Sequence, residues 1–375
     1  MKKLFCDILN IDDKNIQKKI FKHFLLSFLL VYAIMLYINP FLIKGFNDWD
    51  IEWYRKIMKN GYDEISVVFF PLFPIVMKIF NLFKIPIIGS ILFNNLLCFL
   101  TCILFYKISI DIYNQSKETA FNIILLFLYS PIRLYTSIPY TESLFIFLCT
   151  LSFYLYKKRM NPYILGITIG LSVATRNVGS IWFFVLFIMF VIDFFKNNKK
   201  EKIIYIIKTY IPATIISCLY PLYLQFKFGN WKMFLDSQFE YWGRKSDKNI
   251  FEILFSDFNL LDDNTYLSVK LTVLFTFITL FFVIVLIFNS LKYDGTKKIE
   301  LILFLLINII ICLTSYRHQE GCSMAGTCSF YRYIYGTISM YLLLPNNAKI
   351  GFYFIINLLM LIIATCFFVS PFFLC

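Results

Sequence analysis

Two carboxylates flank a tryptophan in the segment Asn47-Asp48-Trp49-Asp50. The segment follows the first long apolar run of the chain, so it lies at the mouth of a membrane helix, where a carboxylate is costly unless it is solvated or used. Asp50, with Trp49 beside it, could act as a general base that takes a proton from a sugar hydroxyl. A solvated loop anchored by an interfacial Trp would contain the same residues, and this segment alone favours the loop.

Glu142 and Arg176 are the next charged candidates along the chain. Glu142 starts an apolar run, where the dipole of a helix N-terminus favours negative charge. It is either a capping carboxylate or a ligand for a sugar hydroxyl or a cation. Arg176 lies with Asn177 and Gly179 between two apolar runs. It either extends to the membrane interface or binds a phosphate with its planar guanidinium group.

Two further groups of candidates come late in the sequence. Gln238, Trp242 and Arg244 belong to a polar and aromatic segment that could stack on a sugar ring and bind its hydroxyls. An amphipathic interfacial helix would use the same residues. Arg332 and Tyr333 begin a late apolar run and form a second possible phosphate contact.

The sequence gives little support for other chemistries. Cys322 and Cys328 could form a disulfide if their compartment is oxidising. The chain has two His and no Cys/His cluster at ligand spacing, which argues against a structural zinc site. The sequence does not decide whether carboxylates hold a divalent cation. No nucleotide-binding fingerprint or nucleophile elbow occurs, so we expect an energy-rich substrate to come from the membrane itself.

The composition is that of an integral membrane protein. Of 375 residues, 59% are hydrophobic and 16% are charged, with a mean hydropathy of +0.70, whereas about a quarter of a soluble domain is charged. The net charge of +13 comes from short Lys and Arg clusters between apolar runs. These clusters favour a role in membrane topology and argue against a nucleic-acid partner. We predict an all-α, polytopic membrane protein with one domain, residues 1–375.

About ten or eleven transmembrane helices are predicted from hydropathy, since about 20 residues cross a bilayer core. They are placed at 24–43, 86–106, 119–135, 140–156, 162–178, 180–195, 203–226, 267–291, 299–315, 331–344 and 350–372. The run 67–83 is short and contains Pro71 and Pro74, so we predict a re-entrant or surface-lying helix there. The alternative is a true span, which would invert every later orientation.

The loops between these spans predict the orientation. The lysine-rich residues 1–22, with no small residues after the first run, favour a retained first span and a cytosolic N-terminus. The inside loops then hold the basic clusters around Lys157, Lys199 and Lys297. Each short inside loop is net basic or neutral, as the positive-inside rule requires. The candidate residues described above then all fall on the outer side.

The order of these motifs resembles the second-mannose transferase family of glycosylphosphatidylinositol anchor synthesis and its prokaryotic relatives. These enzymes belong to the GT-C superfamily of multi-pass glycosyltransferases. The motifs that carry the resemblance are Trp49-Asp50, Tyr54, Gly61-Tyr62, Phe69-Phe70-Pro71-Leu72-Phe73-Pro74, Tyr140-Thr141-Glu142-Ser143, Thr175-Arg176 with Gly179, Gln238, Trp242-Gly243-Arg244, and Ser329 with Arg332-Tyr333. Each motif is weak alone, and their shared order extends over most of the chain.

The resemblance implies a polyprenyl- or dolichyl-phosphate mannose donor and a glycan, glycolipid or protein acceptor on the extracytoplasmic or lumenal side. It implies Asp50 as the base and inversion at the sugar carbon. The residues predicted to bind substrate are Trp49, Glu142, Arg176, Gln238, Trp242, Arg244, Arg332 and Tyr333. The ending from Ser329 to Tyr333 resembles the prokaryotic relatives, so we expect a cell-membrane protein surrounded by lipid. The endoplasmic reticulum membrane is the alternative.

Two other functions are compatible with this sequence. A flippase or transporter of lipid-linked sugars commonly has half-chain repeats and broken helices at the bilayer midplane. No repeat occurs here, and the polar residues are predicted at one face. A non-catalytic subunit of a glycosyltransferase complex would keep the fold and lose the base, so the presence of Asp50 argues against it.

Overall fold

The computed structural model describes residues 11, 13–40, 49–197, 200–261, 265–317 and 325–370, and their regular structure is almost entirely helical. The first nine α-helices are α1 Lys14–Ile38, α2 Trp49–Asn60, α3 Leu72–Leu82, α4 Pro86–Asp111, α5 Lys117–Leu128, α6 Ile132–Ser137, α7 Glu142–Lys157, α8 Pro162–Thr175 and α9 Gly179–Asn197. The others are α10 Lys200–Phe228, α11 Met233–Glu240, α12 Ile250–Asn259, α13 Leu267–Asp294, α14 Ile299–Thr314, α15 Phe330–Tyr335, α16 Ser339–Leu342 and α17 Gly351–Val369. Two 3₁₀ turns, Ser66–Val68 and Gly295–Lys298, and two strands, β1 Arg244–Lys245 and β2 Tyr316–Arg317, complete the described elements.

Five segments of the described residues are long and apolar enough to cross a membrane. They are Lys14–Ile38, Pro86–Asp111, Glu201–Phe228, Leu267–Thr314 and Gly351–Val369. The prediction of an all-α, multi-pass membrane protein is confirmed. The other predicted spans form shorter helices, such as α8 and α9, so the number of ten or eleven crossings stays a prediction.

The predicted span at 331–344 is wrong as a single helix. It forms α15 and α16, of six and four residues. Hydroxyl groups near the break donate to backbone carbonyls: Tyr341 donates to that of Tyr335 at 2.8 Å, and Ser339 donates to that of Leu301 in α14 at 2.7 Å. A broken helix is tolerated at membrane depth only where protein surrounds it. Gly336 and Thr337 lie at the break, but hydropathy averaged over the run did not register them because most of the run is apolar.

The predicted span at 119–135 is also divided. Helix α5 ends at Leu128 and α6 begins at Ile132. Ser130 lies between them and precedes a proline, a position that disfavours helical dihedrals. Its hydroxyl donates to the carbonyl of Phe127 at 3.0 Å. The serine–proline pair was therefore a signal for this break that hydropathy alone did not register.

The run 67–83 forms a short helix, as predicted. Helix α3 has 11 residues and is about 16 Å long, whereas a bilayer core is about 30 Å thick. Pro71 is the N-cap residue. Pro74 lies in the first turn, where a missing backbone donor costs little. This length agrees with the prediction that the segment does not cross.

The chain divides into two compact units. Unit 1 comprises Met1–Phe21, Asp48–Ile124 and Tyr135–Phe234, and unit 2 comprises Lys22–Asn47, Leu125–Leu134 and Leu235–Cys375. In unit 1, α8 approaches α10 closely through Gly166 and Gly170. A Cβ atom on Gly166 would lie 2.0 Å from the carbonyl oxygen of Thr209. Small residues four apart let membrane helices come into backbone contact, so this pattern explains the pairing of α8 with α10.

One cluster of buried side chains in unit 1 joins α2, α3, α4 and α7. They are Tyr54, Met58, Phe73, Met77, Leu97, Leu144 and Leu148. This cluster fixes the position of α2, the helix that carries Asp50, against the first turns of α3 and α7.

Candidate functional site

Helix α2 begins at Trp49 with an unusual backbone conformation. The φ angle of Trp49 is 57°, which is uncommon for a bulky residue, and its side chain is 41% exposed. Asp50 is half-buried and lies with Glu52 in the first turn of α2. The helix dipole favours negative charge at this position. Asn47 and Asp48 lie outside the described residues.

Tyr54 connects Asp50 to the motifs that follow. Residues four apart lie on one face of a helix, so Asp50 and Tyr54 lie on the same side of α2. The Tyr54 ring is buried, and its centroid lies 5.3 Å from that of Phe69, 5.1 Å from that of Phe73 and 6.4 Å from that of Tyr140. Three motifs that are distant in sequence therefore meet around one ring.

Glu142 and Arg176 form a buried ion pair. Nη1 of Arg176 lies 2.5 Å from Oε1 of Glu142, and the side chains are 12% and 0% exposed. The same Nη1 lies 3.4 Å from the hydroxyl of Thr141. Glu142 is the first residue of α7, as the capping interpretation predicts. Its carboxylate, however, binds Arg176, which lies in the turn between α8 and α9. The predicted roles in substrate binding stay predictions, and Arg176 keeps limited access to solvent.

Gly179 fixes the turn that presents Arg176. The N–H of Gly179 donates to the carbonyl of Arg176 at 2.9 Å. A Cβ atom on Gly179 would lie 2.4 Å from the carbonyl oxygen of Ser172, so any larger residue would displace the backbone. Arg176 is extended at the end of α8, with φ −152° and ψ 144°. The close approach of the Ser172 backbone therefore explains why this motif contains a glycine.

Two asparagines that the sequence analysis did not select hold the chain before α7. Asn94 is buried in α4, and its Nδ2 donates to the carbonyls of Ile138 and Tyr140 at 2.6 and 2.8 Å. Nδ2 of Asn95 lies 3.2 Å from the carbonyl of Ser137. These bonds satisfy backbone groups between α6 and α7 and fix Tyr140. Consecutive asparagines inside an apolar run were the signal for them.

Asp63 orders the loop between α2 and the phenylalanine–proline motif. Its carboxylate lies 2.7 Å from Nζ of Lys56 and accepts a bond from the backbone N–H of Ser66 at 2.8 Å. Burial acts to raise the pKa of Asp63, but the hydrogen bonds from Lys56 and Ser66 outweigh it and lower that pKa to about 2.

This lowered pKa predicts a pH dependence of stability. Because the folded pKa is below the ordinary value of 3.8, the ionised carboxylate stabilises the fold above pH 3.8. That contribution is lost as the pH falls towards 2. The side chain is 43% exposed, so we expect an effect of at most about 1 kcal/mol. Unfolding midpoints of wild type and Asp63→Asn should differ above pH 4 and converge near pH 2. A difference that persists to pH 2 would contradict this assignment.

In unit 2, the polar segment after α10 is only partly helical. Gln238 is half-buried on α11, which ends at Glu240. Gly243 has a φ of 64°, so the chain turns between Trp242, which is half-buried, and Arg244. Arg244 lies in β1. A single interfacial helix is therefore excluded for Trp242 and Arg244.

Arg244 lies opposite a second arginine. In the antiparallel pair β1–β2, Arg244 faces Arg317 and Lys245 faces Tyr316. Nη1 of Arg244 donates to the carbonyl of Ser315 at 2.8 Å. Opposed residues of an antiparallel pair leave the same face, so both arginine side chains start from one face of the pair, and Nη1 of Arg317 lies 3.8 Å from Sγ of Cys328. Arg317 was not selected from the sequence because it belongs to no motif.

Asp257 fixes the loop that leads to Arg332. Its buried carboxylate accepts bonds from the N–H groups of Gly326 and Thr327 at 2.7 and 2.9 Å, and from the hydroxyl of Thr327 at 2.5 Å. Two residues later, Ser329 has a φ of 63° and is the N-cap residue of α15. Arg332 is buried in α15. Tyr333, the next residue along that helix, is half-buried.

Loss of this carboxylate is expected to destabilise unit 2. Asp257→Ala leaves three buried donors of Gly326 and Thr327 without their acceptor, so we expect a loss of about 2–3 kcal/mol in the free energy of unfolding. Glu240→Gln, an exposed carboxylate on α11, is the control and should change stability by less than about 0.5 kcal/mol. Reversible unfolding in detergent measures both. Equal stability of Asp257→Ala and wild type would contradict the structural role.

Arg133 is a further buried cation that the sequence analysis passed over. Its side chain is fully buried in unit 2, with Nε donating to the hydroxyl of Ser27 at 3.0 Å and the guanidinium group 5.0 Å from the Phe24 ring centroid. An arginine between two apolar runs was the signal that could have identified it.

The structure thus distributes the predicted site residues over both units. Unit 1 holds Trp49, Asp50, Glu142 and Arg176, and unit 2 holds Gln238, Trp242, Arg244, Arg332 and Tyr333. Within the described part of the chain, no group of three or more His, Cys, Asp and Glu residues is placed to hold a metal ion. The possible divalent cation stays a prediction. Cys322, and with it the possible disulfide to Cys328, lies outside the described residues.

Comparison with protein-family models, curated proteins and solved structures finds no match to this chain.

Proposed function

We propose that this protein is a membrane glycosyltransferase of the GT-C type. It moves a hexose, for which we expect mannose, from a polyprenyl- or dolichyl-phosphate donor to a glycan, glycolipid or protein acceptor. The reaction takes place on the extracytoplasmic or lumenal side. We expect the cell membrane as its location, with the endoplasmic reticulum membrane as the alternative.

The contacts within unit 1 carry this proposal. The motifs around Asp50, Phe69 and Tyr140 are separated by many residues in sequence, yet their aromatic rings meet at Tyr54. The motif that follows is joined to them by the ion pair between Glu142 and Arg176. Four of the motifs that carry the family resemblance therefore belong to one connected structure, which supports a common function for them.

The chemistry assigned to this arrangement is a single displacement. The acceptor hydroxyl attacks C1 of the donor sugar while the Asp50 carboxylate takes its proton. The bond between C1 and the phosphate oxygen breaks, and its electron pair leaves with the lipid phosphate. The charge on that phosphate suits arginine, whose guanidinium group binds phosphate in a bidentate manner. Arg176, whose side chain is 12% exposed beside Glu142, is the proposed phosphate contact in unit 1.

The proposal is tested by sugar transfer with the purified full-length protein in liposomes. Radiolabelled polyprenyl-phosphate mannose and nucleotide-activated mannose are offered separately, each with a panel of glycan, glycolipid and peptide acceptors. We expect transfer from the lipid-linked donor alone, and loss of that transfer in Asp50→Asn. Transfer from the nucleotide-activated donor would contradict the proposed donor class. Transfer from neither donor across the panel would favour a non-catalytic subunit or a transporter.

A further inference from the structure

A cavity lies at the end of unit 1 where α7 and α9 end and where α8 and α10 begin. Its volume is about 270 Å³. It is lined by Tyr156, Lys157, Arg159, Met189, Ile192 and Asp193. The positive-inside rule predicts this end of the unit on the cytosolic side, whereas the residues assigned to sugar transfer are predicted on the outer side. The cavity is therefore separate from the proposed reaction.

Aromatic rings fix the position of Arg159 at this cavity. The guanidinium group lies 5.4 Å from the ring centroid of Tyr156, 5.2 Å from that of Phe190 and 5.8 Å from that of Tyr205. Each ring attracts a cation over its face. The hydroxyl of Tyr205 donates to the carbonyl of Met160 at 2.7 Å, which holds that ring next to the turn. The arginine head is thus preorganised.

The backbone conformation of Arg159 is also constrained. Its φ angle is 49°, a left-handed conformation that costs a residue with a side chain about 1–2 kcal/mol. Asn161, two residues later, is the N-cap residue of α8, and its side chain accepts bonds from the N–H groups of Tyr163 and Ile164. The turn between α7 and α8 is therefore determined on both sides of Arg159.

The cluster has an excess of positive charge. Asp193 is the carboxylate of the cavity, and it pairs with Arg159 and with Nζ of Lys202, the latter at 2.9 Å. Lys157 adds a third cation, with Nζ 5.8 Å from the Tyr156 ring centroid. Three cations around one carboxylate leave two positive charges in excess. An anion is the ligand that this balance favours.

The apolar surroundings indicate which anion. Met189 and Ile192 line the cavity beside its charged residues, and Ile188 and Phe195 on the same helix are exposed. A ligand in contact with both parts needs an anionic head and an apolar chain. Basic pockets between membrane helices on the cytosolic side bind anionic lipid headgroups in this way.

We propose that this cavity binds the headgroup phosphate of an anionic phospholipid. Lys157 and Arg159 bind the phosphate, and the exposed apolar residues of α9 contact an acyl chain. Asp193 orients Arg159 and Lys202 and is not a ligand. The proposal stands whether or not the protein is a glycosyltransferase.

Lipid binding to the full-length protein in detergent tests this proposal. Native mass spectrometry measures the affinity for phosphatidylglycerol, with zwitterionic phosphatidylcholine as the comparison without net charge and inorganic phosphate as the competing free anion. We expect Lys157→Gln and Arg159→Gln each to weaken phosphatidylglycerol binding about fivefold, which corresponds to about 1 kcal/mol per basic residue near the membrane surface. Lys349→Gln, an exposed lysine predicted on the same side, should leave the affinity unchanged.

The possible results separate lipid from other ligands. Lys157 lies in α7, before the constrained turn that holds Arg159, so Lys157→Gln gives a readout even if Arg159→Gln fails to fold. Unchanged affinity in Lys157→Gln would overturn the proposal. Equal affinity for phosphatidylcholine and phosphatidylglycerol would show that the net charge of the headgroup does not determine binding. Displacement of the lipid by inorganic phosphate at equal concentration would show a free-anion site instead.

Discussion

The Asp50→Asn variant is expected to lose sugar transfer by about two to four orders of magnitude, the usual contribution of a general base. The amide has the shape of the carboxylate but cannot accept the acceptor's proton. Asp50 lies in the first turn of α2, and Tyr54 packs in the buried cluster that joins this helix to α3 and α7, so the substitution should leave folding intact. Initial rates at saturating donor and acceptor, together with the unfolding midpoint, measure both properties.

Glu52 is the matched control for Asp50. It lies two residues further along the same helical turn and is exposed. Glu52→Gln removes the same charge from the same helix end, so any loss of general electrostatic stabilisation would affect both variants. We expect Glu52→Gln to transfer sugar at close to the wild-type rate. Near-normal transfer by Asp50→Asn, or equal losses in the two variants, would contradict the assignment of the base.

Removal of one partner of the Glu142–Arg176 pair is expected to lower the free energy of unfolding by about 3–5 kcal/mol. Glu142 is fully buried and Arg176 nearly so, and a single substitution leaves the other charge in a poorly solvated position. The variants are Glu142→Leu and Arg176→Met. The double variant should recover most of the loss, because replacement of both charges by apolar groups is often neutral. A double-mutant cycle gives the coupling energy.

The exposed pair of Lys56 and Asp63 is the control for this experiment. Its side chains are 40% and 43% exposed, so Lys56→Met should cost less than about 1 kcal/mol. Losses of equal size at the buried and the exposed pair would show that burial does not determine the effect. The folded double variant also tests the phosphate interpretation of Arg176. If its KM for the donor and its kcat equal those of wild type, Arg176 does not bind the donor phosphate.

The sequence determined the class of this protein and many of its helices. Long apolar runs must form helices in a bilayer because each backbone polar group needs a partner within the chain. Helices such as α4, α8 and α13 therefore begin within a few residues of their predicted positions. The same reasoning identified 67–83 as a short helix, since proline and length are local properties. Glycines four apart on α8 are also local, but the partner helix α10 is not.

Tertiary structure alone decided which polar groups meet. The Arg176 side chain binds Glu142, 34 residues away, and the partner of Asp257 is a loop some 70 residues later. Where 331–344 divides into α15 and α16, the hydroxyl of Ser339 binds the carbonyl of Leu301, 38 residues away. A sequence pattern describes the helix that a residue belongs to, whereas the partner of a buried polar group depends on which helices become neighbours. That choice is made by packing over the whole chain, because a buried polar group must find a partner wherever the fold places one.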